Sequence, residues 1–263
     1  MRKVTILLMV FSLIFVANIF SQNMLEKADS LWEKRGEVFD QNTLLAGDAN
    51  INQMIEVYKK VLETATGAEK EEATWKLIRG YYFKGKYTTS DKETKKKICD
   101  LGKELGEDGL KEFPDSPGIN LFLAIVWGVW GEEYGIIQAA KKGVAGKIKD
   151  LCEKTIKLDP EFDEAGGYRV LGRVYFKAPK IPLLLGWPSK KKAVGILEKS
   201  LKIAPDNLNS KQFYAEALYS QKRKEEAIKI AKEILATEGV SEGVAEDANI
   251  KNEVKKLLAD WVK

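Results

Sequence analysis

The 263-residue sequence predicts an all-α protein: a solenoid of stacked helical hairpins with two enlarged loops inside its hairpins and a C-terminal capping helix. Three observations predict it. Apolar residues recur at three- and four-residue spacing, as in "EVYKKVL" (Glu56–Leu62) and "AIKIAKEIL" (Ala227–Leu235). No stretch alternates with period two for long enough to mark a sheet. Small and large residues return in the same order at a fixed offset, which is the mark of a repeat.

The chain opens with Met1-Arg2-Lys3 and an apolar run from Val4 to Phe20, broken only by Thr5, Ser12 and Asn18. Ser21-Gln22-Asn23 then begins a charged segment. This is the layout of a signal peptide over residues 1–21, cleaved after Ser21, and it predicts a periplasmic or secreted protein with no stable membrane span after cleavage. An uncleaved anchor is the alternative, because the run is near the shortest length that spans a bilayer. No Cys follows the run, so a lipid-modified N-terminus has no attachment point. Residues 22–263 then form a single helical-repeat domain. Without Arg2 and Lys3 the net charge falls from +4 to +2, far from the footprint of a nucleic-acid binder. Charged residues at 31% and hydrophobic ones at 44% describe an ordered chain.

The repeat shows best in Tyr168-x2-Leu171-Gly172-x2-Tyr175, followed by Ala193-x3-Leu197-x2-Ser200 and Pro205. This resembles the tetratricopeptide repeat, whose first helix reads W-x2-L-G-x2-Y and whose second carries A-x3-F before a terminal Pro. Small residues at Gly172 and Ala193 let two helices approach, large ones fill the space around them, and Pro205 ends the second helix. Tyr214-Ala215-x2-Leu218 and Ala227 fill the next unit in the register of a 34-residue period. Upstream, Gly102-x3-Gly106-x2-Gly109-x4-Pro114 reads as a second helix and Asn120-x2-Leu123-Ala124-x2-Trp127 as the first helix after it. Ile148-x3-Cys152-x2-Thr155-x4-Pro160 closes that unit. Met54-x3-Tyr58-x2-Val61 and Trp75-x2-Ile78-Arg79-x2-Tyr82 extend the pattern toward the start, with Arg79 in a slot meant for a small residue. The clearest repeats span 102–236, and Val254, Leu257, Leu258 and Trp261 give a capping helix over about 249–263 one apolar face.

Two hairpins are longer than the period allows. The interval from Tyr175 to Ala193 is nine residues too long and contains "PKIPLLLGWPSK", and that from Trp127 to Ile148 is twelve too long and contains "GVWGEEYGII". Corresponding loops of neighbouring repeats emerge on one edge of a stack, so the loops at 128–147 and 178–191 are expected to lie side by side. Trp127, Trp130, Tyr134, Lys180, Leu184 and Trp187 are the candidate ligand or partner contacts. Packing of the loops on each other is the alternative role for these large apolar residues.

The phrases "DPEFDEAGGYRVLGRVYFKAP" and "LGWPSKKKAVGILEKSLKIAPDN", residues 159–207, resemble the T-component of TRAP transporters. That resemblance implies a periplasmic repeat protein that binds a partner or a hydrophobic ligand, and it assigns no functional residue. Catalysis is not expected. There is no histidine, no phosphate-binding glycine loop and no nucleophile elbow, and no cofactor or metal site is indicated. Cys99 and Cys152 are expected as buried thiols, with one disulfide as the alternative. The functional expectation is an exported, non-catalytic scaffold for a protein or peptide partner. The second reading is a small-molecule or lipid binder associated with a transporter, with a small hydrophobic ligand held by the two loops.

Overall fold

The computed structural model describes residues 22–180 and 185–263. The expected signal peptide and Leu184 lie outside the described residues. Helix α1 covers residues 22–33, and a short antiparallel ribbon follows, β1 (Phe39–Asp40) and β2 (Leu45–Ala46). The rest is helical: α2 (Ala49–Thr64), α3 (Gly67–Tyr87), α4 (Lys92–Glu112), α5 (Pro117–Tyr134), α6 (Ile136–Lys141) and α7 (Val144–Leu158). Then come α8 (Phe162–Lys177), α9 (Lys190–Ile203), α10 (Leu208–Ser220), α11 (Lys224–Ala236) and α12 (Val244–Trp261). The all-α solenoid expected from the repeat pattern is what is observed. The two-residue strands escaped periodicity because a pair this short shows no alternation. Asp40 secures their turn, accepting from the Asn42 amide at 2.8 Å and from the Thr43 hydroxyl at 2.9 Å.

Caps set the helix starts where polar residues precede apolar runs. Asp91, Ser116, Ser189 and Asn207 each accept a backbone N–H three residues on. Glycine in the packing slots brings the hairpins together. A Cβ on Gly172 would lie 2.5 Å from Leu197, and one on Gly106 would lie 2.8 Å from Leu123. Extensive helix contacts follow chain order. The first helices of successive units, α3, α5, α8, α10 and α12, also touch one another in turn, whereas successive second helices make no comparable contact. The first helices therefore form the tighter, inner wall of the stack.

Two differences from the sequence expectation concern the inserts and the cap. Gly128 to Tyr134 is not loop: α5 runs on through Tyr134, and α6 folds back beside it. Glycine is tolerated in this extension because it admits close neighbours. Gly131 faces Ala139 and Val144, each 3.5 Å from where its Cβ would be. The capping helix begins at Val244, five residues before the expected start, and buries Ala245, Ile250 and Val254.

The stack also closes on itself. Arg35, between α1 and β1, donates from Nε to Glu246 of α12 at 2.8 Å and from Nη2 to the Glu242 carbonyl. Asn249 donates to the Leu44 carbonyl at 3.0 Å. Gly36 packs on Val244, and Ala245 joins the same apolar core as Leu25 and Ala28. First and last units are thereby clasped.

Candidate functional site

The inner wall starts on α3, whose register differs by one residue from the sequence reading. A Cβ on Gly102 would meet Tyr81 at 3.3 Å, and one on Gly109 would meet Thr74 at 2.9 Å. The packed positions are therefore Thr74, Leu77, Ile78 and Tyr81, all buried. Arg79 does not occupy a small-residue slot. It lies one position further round, with Trp75 and Tyr82 a turn away on either side. Trp75 stacks on Phe122 of α5 (centroids 5.5 Å apart, planes at 9°) and meets Phe162 of α8 edge-on at 5.6 Å. Gly118 makes room for this indole, since a Cβ there would sit 2.5 Å from it. Three successive inner helices thus share one aromatic floor.

Cations gather at its N-terminal side. The Arg79 guanidinium carbon lies 3.8 Å from the Trp32 ring centroid and 5.0 Å from that of Trp75. Arg35 lies 4.1 Å from the same Trp32 ring. Burial pushes the Arg79 pKa below its ordinary value, and Arg35 adds to the effect against the attraction of Tyr58 and Asp163. Asp29 of α1 accepts from Lys76 at 2.7 Å and from the Tyr58 hydroxyl at 2.6 Å. Burial also raises Glu246 above the usual carboxylate range, even with Arg35 beside it opposing the shift.

Further along the wall, α8 opens with Asp163, Glu164 and Ala165 in left-handed conformation, at φ 51°, 53° and 60°. Each such residue costs roughly 1–2 kcal/mol. Arg169 holds the turn, donating to the Asp163 and Glu164 carbonyls at 3.2 and 3.1 Å and to the Asp163 carboxylate at 2.7 Å. Asn207 adds a bond to Glu164 at 2.8 Å. Arg173 pairs with Glu216 of α10 at 2.8 Å and lies 4.2 Å from the Phe213 ring, and Gln212 reaches Glu253 of α12 at 2.7 Å. Most of the wall's charge is thus neutralised in place. On the outer helices the ion pairs are mainly local and solvated, as in Lys111–Asp108 and Lys149–Glu153.

The structure brings four of the six candidate residues named from sequence, Trp127, Trp130, Tyr134 and Trp187, into one apolar cluster. Trp127 and Trp130 meet edge-on at 5.4 Å, and Trp130 stacks on Tyr134 at 4.2 Å. The polar tips of Trp130 and Tyr134 turn back to α4, where Asp100 accepts from the Trp130 indole at 3.0 Å and from the Tyr134 hydroxyl. The hydrogen bond to Asp100 pushes the Tyr134 phenol up to about 12. Trp187 packs against the same apolar cluster without stacking on these rings. Its ring contact is with Tyr175, at 4.7 Å and 64°, and a backbone bond from Ser189 to Tyr175 ties the insert to the end of α8. No ring contact joins Trp187 to Trp130 or Tyr134 among the described residues. Lys180 is exposed at the edge of a cleft of about 630 Å³, lined by Tyr175, Phe176, Pro188, Lys190 and Gln221. Cys99 and Cys152 are buried free thiols, and burial pushes Cys99 up to about 12. Sequence reasoning missed Trp32, Arg35, Trp75, Arg79 and Glu246. A charged residue assigned to a small slot was the available sign that the α3 register was off by one.

Comparison with one solved structure gives the same architecture. A thermophilic TPR protein of Thermus thermophilus superposes with a TM-score of 0.58 at 16% identity, covering 92% of this chain and 98% of that one. MamA aligns at 19% identity over 80% of this chain and 93% of its own, with a TM-score of 0.46. Among curated proteins, regulator of microtubule dynamics protein 3 of Rattus norvegicus is 30% identical over 132 residues, and its Mus musculus counterpart 29%. Those alignments take in 50% of this chain and only 26% of each relative. None of these proteins supports the T-component resemblance of residues 159–207. Residues 25–262 match the family described as regulator of microtubule dynamics protein 1-3, and the chain belongs to that family.

Proposed function

We propose that the protein is a non-catalytic interaction scaffold that holds an extended segment of a protein partner against its inner wall. The observation that carries this reading is the aromatic floor of Trp75, Phe122 and Phe162, spanning three inner helices beside the stacked Arg79. Phe122 is buried beneath, and the partly exposed Trp75 and Phe162 above it, with cations at their side, suit a peptide laid across the units. The curated relatives carry microtubule regulation in their name. On that footing we extend the reading to a partner that is part of a larger assembly. We also propose export, on the strength of the basic start and apolar run of residues 1–20. Cell fractionation with N-terminal sequencing tests that part.

The wall itself is tested by selecting displayed twelve-residue peptides on the wild-type protein. Binding of the selected peptides should fall at least about tenfold in Trp75→Ala and persist in Trp187→Ala. The reverse pattern would move the site to the cleft beside Lys180 and Trp187 and favour the ligand-carrier reading instead.

A further inference from the structure

Arg79 differs from the other guanidiniums of the wall. Arg35 is held by Glu246, Arg169 by Asp163 and Arg173 by Glu216. Arg79 makes no ion pair and donates no hydrogen bond among the described residues, and its Nε is buried without a partner. The carboxylates around it are committed elsewhere: Asp29 to Lys76 and Tyr58, Asp163 to Arg169. The segments outside the described residues, 1–21 and 181–184, contain no Asp or Glu to serve it.

The two indoles do not meet this need. Trp32 and Trp75 attract the cation with their ring faces, which offer no oxygen to its five N–H donors. What remains open is the end carrying Nη1 and Nη2, since only Nε is buried, and that end matches two oxygens side by side. A buried cation left without a partner is unfavourable, and an acceptor brought from outside removes the deficit. Among the described residues no second unpaired cation stands beside it, since Lys76 is bound to Asp29 and Glu72. One unit of charge suits a carboxylate better than a doubly charged phosphate.

We propose that Arg79 anchors a carboxylate from an acidic segment of the partner, received edge-on, while Trp75, Tyr82 and Phe162 take an adjoining apolar side chain. This rests on the inner wall being the partner-binding face. The probes are two fluorescein-labelled peptides, (Phe-Glu-Ser)4 and (Phe-Gln-Ser)4, measured by fluorescence anisotropy at about 0.15 M salt. Wild type should prefer the Glu peptide by about tenfold or more. Arg79→Gln should erase that preference, Arg79→Lys should restore only part of it, and Lys192→Gln on the outer helix α9 should keep it. Arg79→Gln should stay folded and melt within a few degrees of wild type, because the indole stacking it loses is offset by removal of an unpaired buried charge. In wild type the Arg79 Nε–H resonance should shift with the Glu peptide and not with the Gln peptide, a readout that needs no variant.

A preference that survives Arg79→Gln, or an unmoved Arg79 resonance, overturns the anchor. If displayed peptides still depend on Trp75, the wall reading stands without it. Loss of that dependence removes the wall and the anchor together. Arg79-dependent binding of phosphatidylglycerol vesicles with no binding of either peptide would assign the site to a lipid surface and overturn the proposal.

Discussion

Replacing Glu246 with Leu tests the clasp between the chain's two ends. Both side chains of the Arg35–Glu246 pair are 9% exposed, so the substitution leaves a buried guanidinium without its carboxylate, its Nη atoms still donating to the Trp32 and Glu242 carbonyls. Removing one partner of such a pair costs about 3–5 kcal/mol. For a chain of this size each kcal/mol is worth about 2–4 °C, so all-or-none unfolding would lower the melting temperature by roughly 6–20 °C. A stack of repeats has a cheaper route, in which α12 and the segment around 35–47 detach while the middle units hold. Hydrogen exchange by mass spectrometry should therefore show faster exchange in these two segments than in α5 or α8. The double variant Arg35→Met/Glu246→Leu should recover most of the loss, because burial works against the charged pair. Glu246 adds a pH signature. Its folded pKa lies above 4.5, so the folded state gains stability as pH falls from above that raised value toward 4.5 and loses it on the way back up. Glu246→Gln should flatten that slope. Unchanged exchange in α12 with a melting temperature within about 1 °C of wild type would refute the clasp.

Two other predictions concern packing and the α4–α5 contact. Gly172→Ala drives a methyl into Leu197 and should cost about 1–3 kcal/mol, whereas Gly195→Ala, with open space around it on α9, should stabilise by up to about 1 kcal/mol. Paired urea melts separate the two. Tyr134→Phe removes one of the donors to Asp100, which should cost about 1–2 kcal/mol at neutral pH. Burial raises the Asp100 pKa, but hydrogen bonds from Tyr134, Lys103 and Trp130 outweigh it and hold the carboxyl below 3.8. Its contribution is present above 3.8 and lost as pH falls through the depressed value, so the Tyr134→Phe deficit should vanish in strong acid. A deficit that persists there would point to packing instead.

The hairpin stack was legible because its cause is local. Gly172 facing Leu197 and Gly106 facing Leu123 are fixed by spacing within a short stretch of chain. The inserts were legible in length but not in conformation. Gly128 and Gly131 read as breakers until α6 and α7 supply the neighbours that pack against them. Trp130 and Trp187 share one apolar cluster without a direct ring contact. A loop would have carried Trp130 to the edge, but the continuing helix turns it onto Asp100. Arg79 and the Arg35–Glu246 pair were beyond reach, since the first depends on a one-residue register and the second on residues 211 positions apart.

An open stack of hairpins tolerates gain or loss of a unit, because its two ends never meet. Here they do, and that makes the number of units countable by the molecule itself. Deleting one hairpin would shift α12 by about one interaxial distance, roughly 8–10 Å, well past the reach of Arg35. Among relatives that keep this closure, length should vary inside hairpins, as the inserts at α6 and before α9 already do, and not by whole repeats.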